Sequence, residues 1–268
     1  MKNKKAVLVV LGICIPLLIV VVLSQTLLFT WSPLRIGYHR FHYDLYDLYT
    51  DEAVPAPVYG SLGEMIIQNE RDHGLKYTLR PEIVICDVDR FRFYIPWLNS
   101  HTASGVWPRT VYLSKEIIRE YNDPVMAAKH ELSHILLLQH FGQQACKTVW
   151  EHDEWLPEGL AIYVTDGFPG YLSRREILAT MKSTGIDYGK DSSDILSGKN
   201  RRDVAIAARY PIYGAYVGYL IEQYGRDTFF SFVYDTFDNP SEIMTLFSRH
   251  FRVSFAGSLT GFSEYLTK

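Results

Sequence analysis

Apolar and polar positions divide the chain into stretches of different character. Ala6 through Leu23 is an uninterrupted apolar run, prolonged to Phe29 with only mild polarity, and it is long enough to span a bilayer as one helix despite Pro16. Lys2, Lys4 and Lys5 precede it while Arg35 and Arg40 follow, so charge favours a cytoplasmic amino terminus. The pattern predicts a cytoplasmic stub and transmembrane signal-anchor over 1–31 and one extracytoplasmic domain over 32–268. A cleaved signal peptide and a secreted domain are the alternative, although Leu23-Ser24-Gln25-Thr26-Leu27 makes a poor cleavage site.

Beyond that run the periodicity changes. Residues 60–74 read as a short helix, and the β-branched run Glu82–Val88 as a covered strand. Phe91–Ile95 reads as a second strand, and Thr110–Ser114 as a third, just before the buried helix. Asp123 and Pro124 mark a helix start, apolar residues continue on nearly every face to Leu138, and Gly142 offers a stop. Residues 147–154 read as a solvated linker. After Asp166 helical spacing recurs over 173–183, 203–224, 227–238 and 241–251, with breaks near Gly185, Gly225, Asn239-Pro240 and Gly257. The aromatic segment 32–59 is expected to pack across the domain surface. The predicted class is α+β: a small mixed or antiparallel sheet, then a buried helix, then a mainly helical carboxy-terminal part.

Composition narrows the partners. A net charge of −3 with no basic cluster argues against nucleic acid. Cys14 lies in the apolar run, which leaves Cys86 and Cys146 either to pair in an oxidising compartment or to stand as separate buried thiols.

The chemistry concentrates in the buried helix. In His130-Glu131-Leu132-Ser133-His134 the two histidines are four apart, so both imidazoles can reach one metal ion from one face. Glu131 sits about 100° round the helix, which suits a carboxylate that flanks the metal and takes a proton from its water. A third ligand is available in Trp155-Leu156-Pro157-Glu158-Gly159-Leu160-Ala161-Ile162-Tyr163, where Pro157 opens a second helix and Glu158 lies on its first turn. The alternative role for Glu158 is stabilisation of that helix terminus. His152 or Asp153 is the substitute ligand should Glu158 point elsewhere. His39 and His42 also have metal-binding spacing, but as an isolated pair they leave a site incomplete.

These two segments together resemble the gluzincin metallopeptidases, in particular the peptidase MA-like domains, whose ligand glutamate lies in a Trp-x-x-Glu-Gly-x-Ala-x-Tyr setting. The resemblance implies a zincin-like fold, Zn2+ held by His130, His134 and Glu158, Glu131 as general base, and an edge strand at Thr110–Ser114 that can pair with an extended peptide substrate through its free backbone groups. Tyr210 to Gly225 is similar to the family's later helix ending in Leu-Ile-Glu-x-Tyr-Gly. Many gluzincins carry an acid four positions after the ligand glutamate, which orients a ligand histidine. That position is Ile162 here, leaving Asp166 or a backbone carbonyl for the role, or a weaker site. His140 has the third-ligand spacing of metzincins, but Leu137 stands where they need a helix-breaking glycine, so His140 is expected to face a loop or polar neighbour.

A phenol opposite the metal could stabilise the oxyanion formed when water attacks a carbonyl. Tyr213 is the first choice, with Tyr210 and Tyr216 beside it, and simple packing is the competing role. The expected function is a membrane-anchored zinc metallopeptidase acting on a peptide or protein substrate. A catalytically silent, zinc-stabilised binding or scaffold domain is the second reading, against which Glu131 argues. A protease embedded in the membrane fits less well, because the motif lies outside the apolar spanning segment. Substrate specificity and oligomeric state stay open.

Overall fold

A computed structural model describes residues 12–20, 35, 37–55, 57–87, 89, 104–116, 124–165, 195–196 and 206–267. Of the apolar amino-terminal run, 12–20 form a helix with exposed side chains, and the rest lies outside the described residues. No helix among the described residues is long and apolar enough to cross a membrane. The expected strand at 91–95 and helix at 173–183 also fall outside.

The amino-terminal part is a mixed five-stranded sheet of β1 (His39–His42), β2 (Asp47–Thr50), β3 (Glu82–Cys86), β4 (Ser104–Trp107) and β5 (Thr110–Ser114), ordered β1-β2-β3-β5-β4. Strands β2, β3 and β5 run parallel, and β1 and β4 pair antiparallel at the two margins. Two expectations need correction. The aromatic segment 32–59 contributes two strands and does not merely lie across the surface. Thr110–Ser114 sits inside the sheet, and β4, joined to it by a tight turn, lies beyond it at one margin among the described residues. A run buried on every residue, as β5 is, suits an interior parallel strand better than an edge.

The parallel step from β2 to β3 requires a crossover, and it passes through a 3-10 turn (Pro57–Ser61) and helix α1 (Leu62–His73). Gly74 ends α1 in the left-handed conformation. Helix α2 (Pro124–Asp153) follows β5, then α3 (Trp155–Val164), α4 (Ile206–Tyr224), α5 (Arg226–Asp238), α6 (Ile243–Phe251) and α7 (Phe255–Thr267). The break expected near Gly257 falls at 252–254, between α6 and α7, and Gly257 itself lies inside α7; that helix fills the space over Tyr216 and Tyr219 through Phe262.

Two apolar cores meet on α2. Leu132 and Ile135 pack with Leu48, Ile83, Ile85, Val111 and Leu113 of the sheet and with Leu62 and Ile66 of α1. Leu137, Cys146 and Val149 belong to the aromatic core of α3 to α7, in which Trp155 lies against Tyr216, Phe232 and Phe255. Filled on both sides, α2 has little freedom to rotate or slide, so groups on its remaining face are held in place.

Polar bonds fix it further. Asn69 donates to the Lys129 carbonyl at 2.9 Å and Tyr77 to that of Leu132 at 2.9 Å. Buried Lys129 reaches Asp72 at 3.2 Å and the Val164 carbonyl, joining α1, α2 and the end of α3. His73 Nδ1 faces the Asn69 carbonyl at 2.9 Å, which only accepts, so Nδ1 carries the proton and Nε2 accepts from the Ser133 hydroxyl at 2.7 Å.

Burial holds the His73 pKa down at about 4. The unfolded chain takes up a proton at this group near pH 6.5, while the folded chain refuses it until about pH 4. Above pH 6.5 the group is neutral in both states; as pH falls from 6.5 to 4 it should remove about 3 kcal/mol of stability. Urea unfolding across that window should show the loss in the parent, and His73→Gln should flatten it.

Candidate metal centre

The buried first half of α2 places His130 and His134 one turn apart, with their Nε2 atoms 3.2 Å from each other and the ring planes at 89°. Glu158 enters from the opening turn of α3, its amide bonded to the Glu154 carbonyl at 3.1 Å. Its Oε2 lies 3.3 Å from His130 Nε2 and 3.5 Å from His134 Nε2. Donors about 2 Å from a common tetrahedral ion stand roughly 3.3 Å from one another. The three separations fit that figure, and two imidazoles with one carboxylate are a zinc donor set. His130, His134 and Glu158 could therefore hold a metal ion.

The charges agree with this. Burial alone would raise the Glu158 carboxyl pKa, but His134 and His130 overcome it and hold the group well below the usual carboxylate range. Burial would likewise lower the His134 pKa, and the Glu158 carboxylate outweighs it. Glu131, buried next to His130, adds a negative potential felt by both His134 and Tyr210.

Close packing of α3 on α4 sets where Glu158 stands. A Cβ at Gly159 would lie 2.6 Å from the Tyr213 carbonyl oxygen and 2.9 Å from Val217 Cγ2, and one at Gly214 would collide with Ile162. Position 162, where an acid is absent, is taken by a buried apolar side chain that fills the space over Gly214. The Nδ1 of His134 is buried and has no hydrogen-bond partner among the described residues. Asp166, the other acid considered, lies outside them.

The second half of α2 departs from expectation. Gly142, at φ 80° and ψ 162°, breaks the helix as its sequence position predicts, but the chain resumes as helix to Asp153 where a solvated linker is expected. Buried Cys146, Val149 and Asp153 carry the helical period that marks this segment. In a straight helix, residues 134 and 150 would be about 24 Å apart; the ring centroids of His134 and Trp150 are at 4.8 Å. The chain thus turns back at Gly142 and brings to the centre a residue that motif reading overlooks. The Trp150 Nε1 donates to Glu158 Oε1 at 2.9 Å.

The other candidates are placed as follows. The buried Tyr213 hydroxyl faces the Glu154 carboxylate at 3.3 Å and donates to the Ile195 carbonyl at 3.0 Å, so this phenol ties α4 to its neighbours. Tyr216 is joined to Ser258 within the aromatic core. Tyr210 is the tyrosine beside the centre, its ring stacked 6.3 Å from that of His130. Choosing among phenols three residues apart requires the rotation of α4, which periodicity leaves unspecified. His140 donates to the Lys76 carbonyl at 2.5 Å, the polar neighbour expected. His152 is exposed, and neither it nor Asp153 joins the ligand group. His42 pairs with Asp47 at 2.8 Å on the far margin of the sheet. Cys86 and Cys146 are separate buried thiols, each pushed up to about 12 by burial.

A scan against protein-family models finds no match, and a search of curated proteins finds none either. Among solved structures the chain is similar to the crystal structure of the M1 zinc metallopeptidase from Deinococcus radiodurans, at 15% identity and a TM-score of 0.45, over 84% of this chain and 49% of that one. The chain thus spans about half the length of that protein.

Proposed function

We propose that this chain is a zinc-dependent peptidase of gluzincin type that hydrolyses peptide bonds. The observation carrying the reading is the trio of donor separations at His130, His134 and Glu158, with the Glu131 carboxylate buried on the same helix. Zinc bound there supplies a Lewis acid that polarises a carbonyl and makes water nucleophilic near neutral pH.

The protein's own groups do the rest. Glu131 receives a proton from the attacking water and passes it to the leaving amine. Tyr210 is kept protonated, since burial and then the carboxylates of Glu158, Glu154 and Glu131 raise its pKa well above the usual phenol value. It is therefore a hydrogen-bond donor at any physiological pH, and stands in the place first given to Tyr213 as partner of the carbonyl oxygen. An extended peptide is held along β4, which among the described residues is the marginal strand on the side that lies against α2.

In this reading 1–31 is a transmembrane anchor with a cytoplasmic stub, and 32–268 is an extracytoplasmic peptidase domain. The helical residues Ile13, Ile15, Leu17, Leu18, Ile19 and Val20 are each more than half exposed, which suits a lipid environment. The partners are then a peptide or protein substrate and the membrane, without nucleic acid.

The purified chain should contain one zinc per molecule, and its digestion of a peptide library should stop with chelator and return with added zinc. Zinc without chelator-sensitive hydrolysis would instead support the catalytically silent binding domain. A folded chain that takes up no zinc would defeat both.

A further inference from the structure

The ligand carboxylate has two oxygens with different surroundings. Oε2 faces both imidazole nitrogens, at 3.3 and 3.5 Å, while Oε1 accepts the indole N–H of Trp150 at 2.9 Å. The same indole stands edge-on to the His134 ring, with centroids at 4.8 Å and planes at 65°. One side chain therefore touches two of the three ligands. It does so where an acid is missing at Ile162 and where His134 Nδ1 lacks a hydrogen-bond partner among the described residues.

We propose that Trp150 is the positioning residue of this centre: by occupying Oε1 it presents Glu158 to the ion through one oxygen only, and by packing on His134 it fixes that imidazole's orientation. The inference rests on the metal reading of His130, His134 and Glu158. A carboxylate free to swing can chelate through both oxygens and fill the coordination position that a substrate carbonyl or water needs. A hydrogen bond to the outer oxygen opposes that swing. An indole suits the task in an apolar core, because it donates one bond and otherwise packs as a hydrocarbon. Gly142 is part of the device, since only the reversal there brings residue 150 back to residue 134.

Trp150→Phe keeps a ring and removes the donor. The variant should bind zinc roughly 10- to 100-fold more weakly in competition with a chromophoric chelator, the range for loss of a ligand's hydrogen-bond partner. The melting temperature of its metal-free form should stay within about 3 °C of the parent's. With cobalt in place of zinc, the visible bands should weaken as Glu158 takes up two-oxygen binding and the coordination number rises, a change that packing loss alone would not produce.

Should Trp150→Phe fail to fold, benzothienylalanine at position 150, isosteric with tryptophan but with sulfur for the N–H, is put through the same measurements. Parent-like zinc affinity in a folded variant, or an unchanged cobalt spectrum, overturns the inference. A parent chain that binds no zinc overturns it together with the metal reading, whereas a zinc-binding parent with an unaffected variant removes Trp150 alone.

Discussion

Glu131→Gln should lower peptide hydrolysis roughly a hundred- to ten-thousand-fold while zinc stays bound. The amide is nearly isosteric with the carboxylate, so the apolar packing of α2 on the sheet and on the aromatic core is untouched. What disappears is the carboxylate proposed to accept a proton from water and return it to the amine. Zinc content is expected to hold because the three donor atoms belong to His130, His134 and Glu158, whose mutual separations do not depend on residue 131. Metal analysis and turnover on one preparation make the test. Equal loss of zinc and activity would make Glu131 a ligand, and unchanged turnover would remove it from the chemistry. Glu158→Ala makes the counter-case: it leaves two imidazoles and should lose metal and hydrolysis together.

Gly159→Ala should destabilise the fold by about 3 kcal/mol, at the upper end for overpacking. Helix propensity predicts the opposite sign, since Ala is about 1 kcal/mol better than Gly in a helix interior. Sterics decide the outcome. The new methyl would stand 2.6 Å from the Tyr213 carbonyl oxygen and 2.8 Å from its carbon, and backbone inside a packed helix cannot yield as a side-chain tip can. Helix α3 would have to lift from α4, and Glu158, the preceding residue, would move with it. A drop in melting temperature of roughly 10 °C is expected, together with weaker zinc binding. A melting temperature equal to or above the parent's would mean that the two helices are not in this contact.

The two predictions differ in how far the sequence alone supports them. The candidacy of His130, His134 and Glu131 is local: four-residue spacing on a helix puts two imidazoles on one face whatever surrounds it. Two of the three parallel strands, Glu82–Cys86 and Thr110–Ser114, were readable for a similar reason, because a β-branched run fits a covered strand in almost any context, whereas Asp47–Thr50 was not. Glu158 was legible as a candidate through its place on the opening turn of a second helix. Its distance from the imidazoles was not, since the packing of α3 against α4 fixes it.

Tertiary structure decided the remainder. Strand order depends on which faces are covered, and β5, expected at an edge, is interior because its residues are buried throughout. Tyr210 and Tyr213 differ by three positions, and only the packing of α4 turns one toward His130 and the other toward Glu154. Trp150 has no spacing relation to the motif, since a reversal at one positive-φ glycine carries it back to the centre. The sequence by itself thus determined which groups can bind and move protons, because those depend on residue type and helical period. Which groups meet, and which oxygen of Glu158 faces the ligand pair, depends on contacts between distant segments, and no local pattern contains them.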